Sequence, residues 1–190
     1  MRKVISKKIK GAVLVTAFAV TISVAGCITS EGNGWQDKLA SELPVLGHRN
    51  WIIIADSAYP AQSRAGIETI ATGAEQIEVV KVVLGALDNS KHVRAIVYLD
   101  AEMKYVSEKD APRINTYRKE LTALLGKRAV KRVPHEELIA KLDEAAKTFR
   151  ILIFKTELTL PYTSVFLELD CGYWNSGAER ELRQAIGEEK

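Results

Sequence analysis

The chain has 190 residues, of which 47% are apolar and 27% are charged, and this balance excludes a disordered chain, a collagen-like chain and a polytopic membrane protein. Two cysteines cannot build a disulfide framework or a four-cysteine zinc site. The formal charge of +3 is unevenly distributed, since residues 1–26 carry five basic and no acidic side chains, which leaves 22 basic against 24 acidic residues in the remainder. We therefore predict no nucleic-acid partner for the body of the chain.

The N-terminal segment has the order of a secretory signal. Residues 2–10 are basic, residues 11–24 form an uncharged apolar run, and small residues follow. This run is shorter than the roughly 20 residues that span a bilayer. The sequence Val-Ala-Gly-Cys at 24–27 resembles the lipobox of bacterial lipoproteins, which implies that acylated Cys27 becomes the mature N-terminus. The alternative is an uncleaved N-terminal anchor helix in which Cys27 has no role.

The rest of the chain alternates between strand and helix patterns. Strand patterns fall at 51–55, 93–99, 128–133, 151–154 and 164–169, and helix patterns at 35–43, 75–87, 112–125 and from 134 onward. The strand at 51–55 is a continuous apolar run, which is typical of a strand buried on both faces. We therefore predict an α/β fold, a three-layer sandwich with a central, largely buried sheet.

These patterns divide the chain into four parts. We expect a signal peptide at 1–26, a flexible tether at 27–34, one folded domain at 35–174 and a C-terminal tail at 175–190. Export and acylation would place the protein in the bacterial cell envelope, lipid-anchored and facing the periplasm or the exterior.

A few polar residues lie where ligands are commonly bound. Asp56 directly follows the first predicted strand, and in open α/β sheets ligands collect at the carboxyl ends of strands. His48 lies just before that strand and reaches Asp56 if the loop that precedes the strand folds back. His135 lies in the first turn of the last predicted helix, where free N–H groups favour oxygen ligands. Each has an ordinary alternative as a turn cap or a solvated side chain. We expect His92 to be a surface or strand-edge residue without a functional role.

Three ordered motifs add specificity to these positions. The first is Leu-Gly-His at 46–48, with a strand that ends at Asp56 and the loop Tyr-Pro-Ala-Gln-Ser at 59–63. The second is Val-Pro-His-Glu-Glu at 133–137, and the third is Pro-Tyr-Thr-Ser at 161–164. Together they resemble the RbsD/FucU family of D-ribose pyranases and L-fucose mutarotases.

The resemblance implies an RbsD-like fold and an enzyme that interconverts the cyclic forms of a free, ribose- or fucose-like monosaccharide by acid/base catalysis, with no metal and no cofactor. It implies that His48 is the general acid/base at the ring oxygen. The implied contacts to sugar hydroxyls are Asp56, His135, Tyr162, Thr163 and Ser164. The family site forms between subunits of a ring-shaped homo-oligomer, so one subunit would supply the Tyr162 segment and another His48.

Two positions depart from the family motifs, and they keep an alternative open. Ser164 stands where the family has asparagine, and Gln62 stands where the fucose branch has histidine. The leader and the tail at 175–190 have no counterpart in the cytosolic enzymes. The alternative function is a non-catalytic, membrane-tethered sugar-binding or assembly protein on the same fold. A purely structural lipoprotein would leave the three motifs unexplained.

Overall fold

The computed structural model describes residues 34–188, and within them helices and strands alternate along the chain. The helices are α1 (Gly34–Glu42), α2 (Gln76–Asp88), α3 (Ile114–Leu125), α4 (His135–Ala145) and α5 (Ser176–Glu188). The strands are β1 (Trp51–Ala55), β2 (Ile67–Ala71), β3 (Val93–Asp100), β4 (Val130–Val133), β5 (Ile151–Lys155) and β6 (Val165–Cys171). A short 3₁₀ helix, Ala101–Tyr105, directly follows β3. The predicted signal peptide, Cys27 and the tether as far as residue 33 lie outside the described residues.

The strands form one mixed sheet in the order β2-β5-β1-β6-β3-β4. β1 pairs in parallel with β5 and antiparallel with β6, and β6 in turn pairs antiparallel with β3. Strands β1 to β5 therefore all point the same way, and β6 alone runs against them. As a result, the carboxyl ends of β1 to β5 and the amino end of β6 meet along one edge, which we call the carboxyl edge. The opposite edge is the amino edge.

Helices cover both faces of the sheet, which confirms the predicted α/β sandwich. The apolar residues of α1, α2 and α3 pack on one face, and those of α4 pack on the other. Strand β1 shows the alternation that fills both layers, because Ile52 and Ile54 join the first cluster while Trp51 and Ile53 join the second. All four are buried, and each such side chain contributes about 1.5–3 kcal/mol relative to exposure.

Besides the short 3₁₀ helix, one strand and one α-helix have no counterpart in the predicted pattern. β2 is a half-exposed edge strand, so its sequence lacks the continuous apolar run that identifies a central strand. α5 is polar along most of its length, and Leu182 and Ile186 on it are exposed. None of the helices within residues 34–188 is long and apolar enough to cross a membrane.

Candidate functional site

Polar side chains from four elements converge at the carboxyl edge of the sheet. Asp56 directly follows β1, Asp100 is the last residue of β3, and His135 opens α4 immediately after β4. Tyr162 and Ser164 lie in the segment that leads into β6. We call these five residues the carboxyl-edge cluster. The topology thus brings together four of the predicted site residues and adds Asp100.

The Asp56 carboxylate is held by two donors. The Ser164 hydroxyl donates to Oδ2 of Asp56 at 3.0 Å, and the Ala58 backbone N–H donates to Oδ1 at 2.9 Å. Ser164 is fully buried and Asp56 is half-buried. The serine that replaces the family asparagine therefore fixes the orientation of the carboxylate, which also caps its own turn.

The chain just before Ser164 is fixed by a buried polar network. The carbonyl oxygen of Thr163 accepts hydrogen bonds from the Tyr117 hydroxyl, at 2.8 Å, and from the side-chain amide of Gln76. The other end of that amide accepts a hydrogen bond from Thr156 at 3.1 Å. Sequence reasoning missed Gln76 and Tyr117, because a polar residue on a helix carries no signal of a partner on another element.

The prediction that the Thr163 side chain contacts a sugar is not supported. Thr163 is fully buried, and its hydroxyl donates to the Leu160 carbonyl oxygen at 2.7 Å. A hydroxyl with no exposed surface and a short internal bond is not available to a ligand. Thr163 therefore holds the chain next to Ser164 in place from inside the protein. Tyr162 and Ser164 are the members of this segment that belong to the cluster.

Asp100 and His135 form a hydrogen-bonded pair on the buried side of the cluster. Nδ1 of His135 lies 3.1 Å from Oδ1 of Asp100, whose side chain has no exposed surface. Burial raises the pKa of Asp100 to about 6, although the hydrogen bond from His135 acts in the opposite direction. Oδ2 of Asp100 is buried and has no hydrogen-bond partner within the described residues. Sequence reasoning missed Asp100, although its place at a strand end is the same signal that identified Asp56.

The first turn of α4 is held by a second carboxylate. Both oxygens of Glu102, in the 3₁₀ helix, accept the backbone N–H of His135 at 3.0 and 3.1 Å. This pairing satisfies a free helix N–H and places negative charge at the positive end of the helix. Among residues 34–188, no three His, Cys, Asp or Glu side chains come together in a geometry that could hold a metal ion.

Tyr162 forms the exposed rim of the cluster. Its ring packs edge-on against His135, with ring centroids 5.6 Å apart. The backbone of Tyr162 has a φ of 57°, a left-handed conformation that costs a non-glycine residue roughly 1–2 kcal/mol. The strain is tolerated where the segment turns into β6, and it places the ring beside the imidazole.

His48 lies at the amino edge, away from the rest of the predicted site. Its Nδ1 is 3.1 Å from Oδ1 of Asp170, and Arg94 binds the other oxygen of that carboxylate. β1 separates His48 from Asp56, and five extended residues span roughly 17 Å. The prediction that the preceding loop brings His48 to Asp56 is therefore wrong within one chain. His48 is more than half exposed and lines an open cavity of about 580 Å³ together with Tyr173 and Trp174.

His92 was expected to be a surface or strand-edge residue, but in the structure it bonds the loop that precedes His48. Its Nε2 lies 3.1 Å from the carbonyl oxygens of both Leu43 and Leu46, so this nitrogen carries a proton and donates it. Nδ1 is 2.9 Å from the Ser90 hydroxyl. Because Leu43 and Leu46 lead directly to His48, His92 fastens the loop that presents His48 at the amino edge.

The family model described as the RbsD / FucU transport protein family matches residues 35–170, so the chain belongs to this family. The match extends from α1 into β6, ends one residue before the end of that strand, and does not include α5. No curated protein matches the chain.

Solved structures with similar folds include two sugar complexes. Bacillus subtilis RbsD complexed with D-ribose is 22% identical, with 69% of this chain and 89% of that chain covered and a TM-score of 0.49. The Streptococcus pneumoniae fucose mutarotase in complex with L-fucose is 20% identical, with the same coverages and a TM-score of 0.46. FucU from Bifidobacterium longum is 18% identical, with 70% and 92% covered and a TM-score of 0.47.

Proposed function

We propose that the protein binds a free monosaccharide and interconverts its cyclic forms by acid/base catalysis. Family membership over residues 35–170 supports this reaction class. The observation that carries the proposal is the convergence of a carboxylate, an imidazole and hydroxyls at the carboxyl edge, where α/β sheets commonly bind ligands. These are the groups that bind sugar hydroxyls and move protons near neutral pH.

The reaction needs two proton transfers. The anomeric hydroxyl loses a proton, the bond from the anomeric carbon to the ring oxygen breaks, and the ring oxygen gains a proton. The ring then closes on the other face or in the other size. In our proposal Asp56 binds a sugar hydroxyl, and Ser164 holds that carboxylate in place. Tyr162 covers the sugar at the rim, and His48 donates a proton to the ring oxygen.

Because His48 lies at the amino edge of its own chain, we propose that it acts on the cluster of a neighbouring subunit. Its exposed ring supports this role, since a second copy could reach it. This arrangement predicts a homo-oligomer, and we expect light scattering to give a multimer of five or more subunits, as in the family. A monomer at micromolar concentration would contradict the shared site.

Mixed oligomers test the shared site directly. His48→Ala and Asp56→Asn are each expected to be inactive, since each removes one part of every site. If the two parts come from different subunits, random mixing of the two variants should restore about a quarter of the sites. If both parts came from one chain, mixing would restore none.

The primary assay is exchange between the anomeric proton signals of sugars, measured by NMR with the full chain. Ribose and fucose are the first sugars to test. His48→Ala should slow the exchange about 10²- to 10⁴-fold, the usual contribution of a positioned acid/base, or roughly 3–5 kcal/mol of barrier. Lys81→Ala, at an exposed position on α2, is the matched control and should leave the rate unchanged. Equal loss in both variants would rule out the role of His48.

The alternative function is sugar binding without catalysis, and the bond from Ser164 to Asp56 favours it. That bond occupies one oxygen of the carboxylate, and Ser164 offers no amide N–H to a sugar. Sugars that bind in saturation-difference NMR and show no accelerated exchange would establish this alternative.

We also propose that the protein is exported and anchored in the bacterial cell envelope through an acylated Cys27. The order of the basic segment, the apolar run and the Val-Ala-Gly-Cys sequence supports this proposal. Mass spectrometry should find an acylated N-terminal Cys27, and Cys27→Ser should abolish the modification. An intact Met1 terminus would instead support the anchor-helix alternative.

A further inference from the structure

The described chain holds two histidine–aspartate pairs with the same separation and very different surroundings. In both, Nδ1 of the histidine lies 3.1 Å from an aspartate oxygen. Asp170, the partner of His48, is partly exposed and also binds Arg94. Asp100, the partner of His135, has no exposed surface, and within the described residues His135 is the one side chain that bonds its carboxylate. A buried charge with a single partner interacts with it much more strongly than an exposed charge that is already neutralised.

The geometry at Asp100 determines which nitrogen of His135 carries a proton. An ionised carboxylate can only accept hydrogen bonds, so Nδ1 must donate and must therefore be protonated. In the neutral ring, Nε2 then has a free lone pair and can accept a proton. The edge-on packing of Tyr162 fixes the plane of the same ring.

The other acids near His135, Glu102 and Asp56, do not bond its imidazole ring. Glu102 binds the backbone N–H of His135 and does not contact its ring by any bond in the structure. Asp56 is bonded to Ser164 and to the backbone of its own turn. Asp100 is thus the acid that contacts the imidazole.

We propose that Asp100 is a positioning residue that holds His135 with its proton on Nδ1, so that Nε2 is the base for the anomeric hydroxyl. This inference rests on the proposed function. In the ring-opening step the hydroxyl proton passes to Nε2, and the electron pair of the broken O–H bond forms the carbonyl. The bond from the anomeric carbon to the ring oxygen breaks with its pair on that oxygen, which takes a proton from His48 of a neighbouring subunit or from water. Asp100 stabilises the imidazolium until the ring closes again.

The tautomer of His135 can be measured without any sugar. In the full chain labelled with ¹⁵N-histidine, long-range ¹H–¹⁵N correlation at pH 8 reports which ring nitrogen is protonated. The chain has three histidines, and their signals can be assigned by single replacements. We expect His135 to carry its proton on Nδ1, the reverse of the usual preference of a solvated histidine. A proton on Nε2 of wild-type His135 would overturn the inference by itself.

Two matched variants test whether Asp100 determines the tautomer of His135. Asp100→Asn keeps the shape and supplies an amide that can donate to Nδ1, so His135 should shift toward protonation on Nε2. Asp170→Asn changes the exposed pair at the amino edge and should leave the His135 signals where they are. An unchanged His135 tautomer in Asp100→Asn would overturn the inference. If Asp100→Asn does not fold, Asp100→Ser removes the same charge and is read in the same way.

Kinetic measurements then test whether the tautomer of His135 affects the rate of anomer exchange. Asp100→Asn should lower kcat for anomer exchange by roughly 10- to 100-fold with little change in KM, since Asp100 does not contact the sugar. A changed tautomer with an unchanged kcat would overturn the role of His135 as the base. If the wild-type chain exchanges no sugar, the proposed function fails, while the tautomer measurement still decides whether Asp100 positions His135.

Discussion

Replacing Asp100 by asparagine should change how the stability of the protein depends on pH. Burial raises the pKa of Asp100 from an ordinary value of 3.8 to about 6. The folded chain therefore binds this proton more tightly than the unfolded chain, and the wild-type protein loses stability as the pH rises from about 4 to about 6. A shift of about two units corresponds to roughly 3 kcal/mol of unfolding free energy.

Asparagine has no such titration, so the variant should not show this loss. The difference in unfolding free energy between variant and wild type should therefore move by about 2.5 kcal/mol in favour of the variant between pH 4 and pH 7, since the remainder of the loss falls below pH 4. Constant offsets, such as an unpaired amide hydrogen in the variant, do not affect this change with pH. Urea unfolding followed by tryptophan fluorescence at pH 4, 5, 6 and 7 measures it.

Asp170→Asn is the control of opposite sign. Burial acts to raise the pKa of Asp170, but the hydrogen bonds from Arg94 and the Cys171 backbone, together with the charge of Arg94, outweigh it and hold this pKa below its usual range. That carboxylate stabilises the folded chain above the acid range, so its replacement should cost stability as the pH rises. A difference between Asp100→Asn and wild type that is independent of pH would refute the reasoning about the buried carboxylate.

Further predictions concern residues that support the site, and urea unfolding measures each predicted change in stability. His92→Ala should destabilise the protein by about 1–3 kcal/mol, because it leaves two carbonyl oxygens of the His48 loop without their donor. Gly172→Ala should be strongly destabilising, since an added Cβ would lie 2.6 Å from the Lys91 carbonyl oxygen. Its control, Gly85→Ala within α2, meets nothing within 4 Å and should stabilise by roughly 0.5–1 kcal/mol. Thr163→Val should cost about 1 kcal/mol and leave sugar affinity unchanged, and a loss of affinity at normal stability would restore Thr163 as a ligand contact.

The sequence by itself determined the layered architecture and part of the carboxyl edge. The apolar run at 51–55 predicts a buried strand because a strand that packs on both faces needs apolar residues at every position. Asp56 and His135 could be placed at one edge because residues that follow parallel strands must lie at the same edge. Asp100 obeys the same rule, but the predicted strand ended one residue before it.

Only the tertiary structure decided how distant residues pair. β6 runs antiparallel between β1 and β3, and this order brings Ser164 to Asp56 across 108 residues of sequence and Asp170 to His48 across 122. His92 reaches the loop before His48 in the same way. Local patterns report the period of burial along one segment, whereas strand order and direction follow from packing among all segments at once. For this reason the sequence predicted a functional role for His48 but misplaced this residue at the edge that holds Asp56.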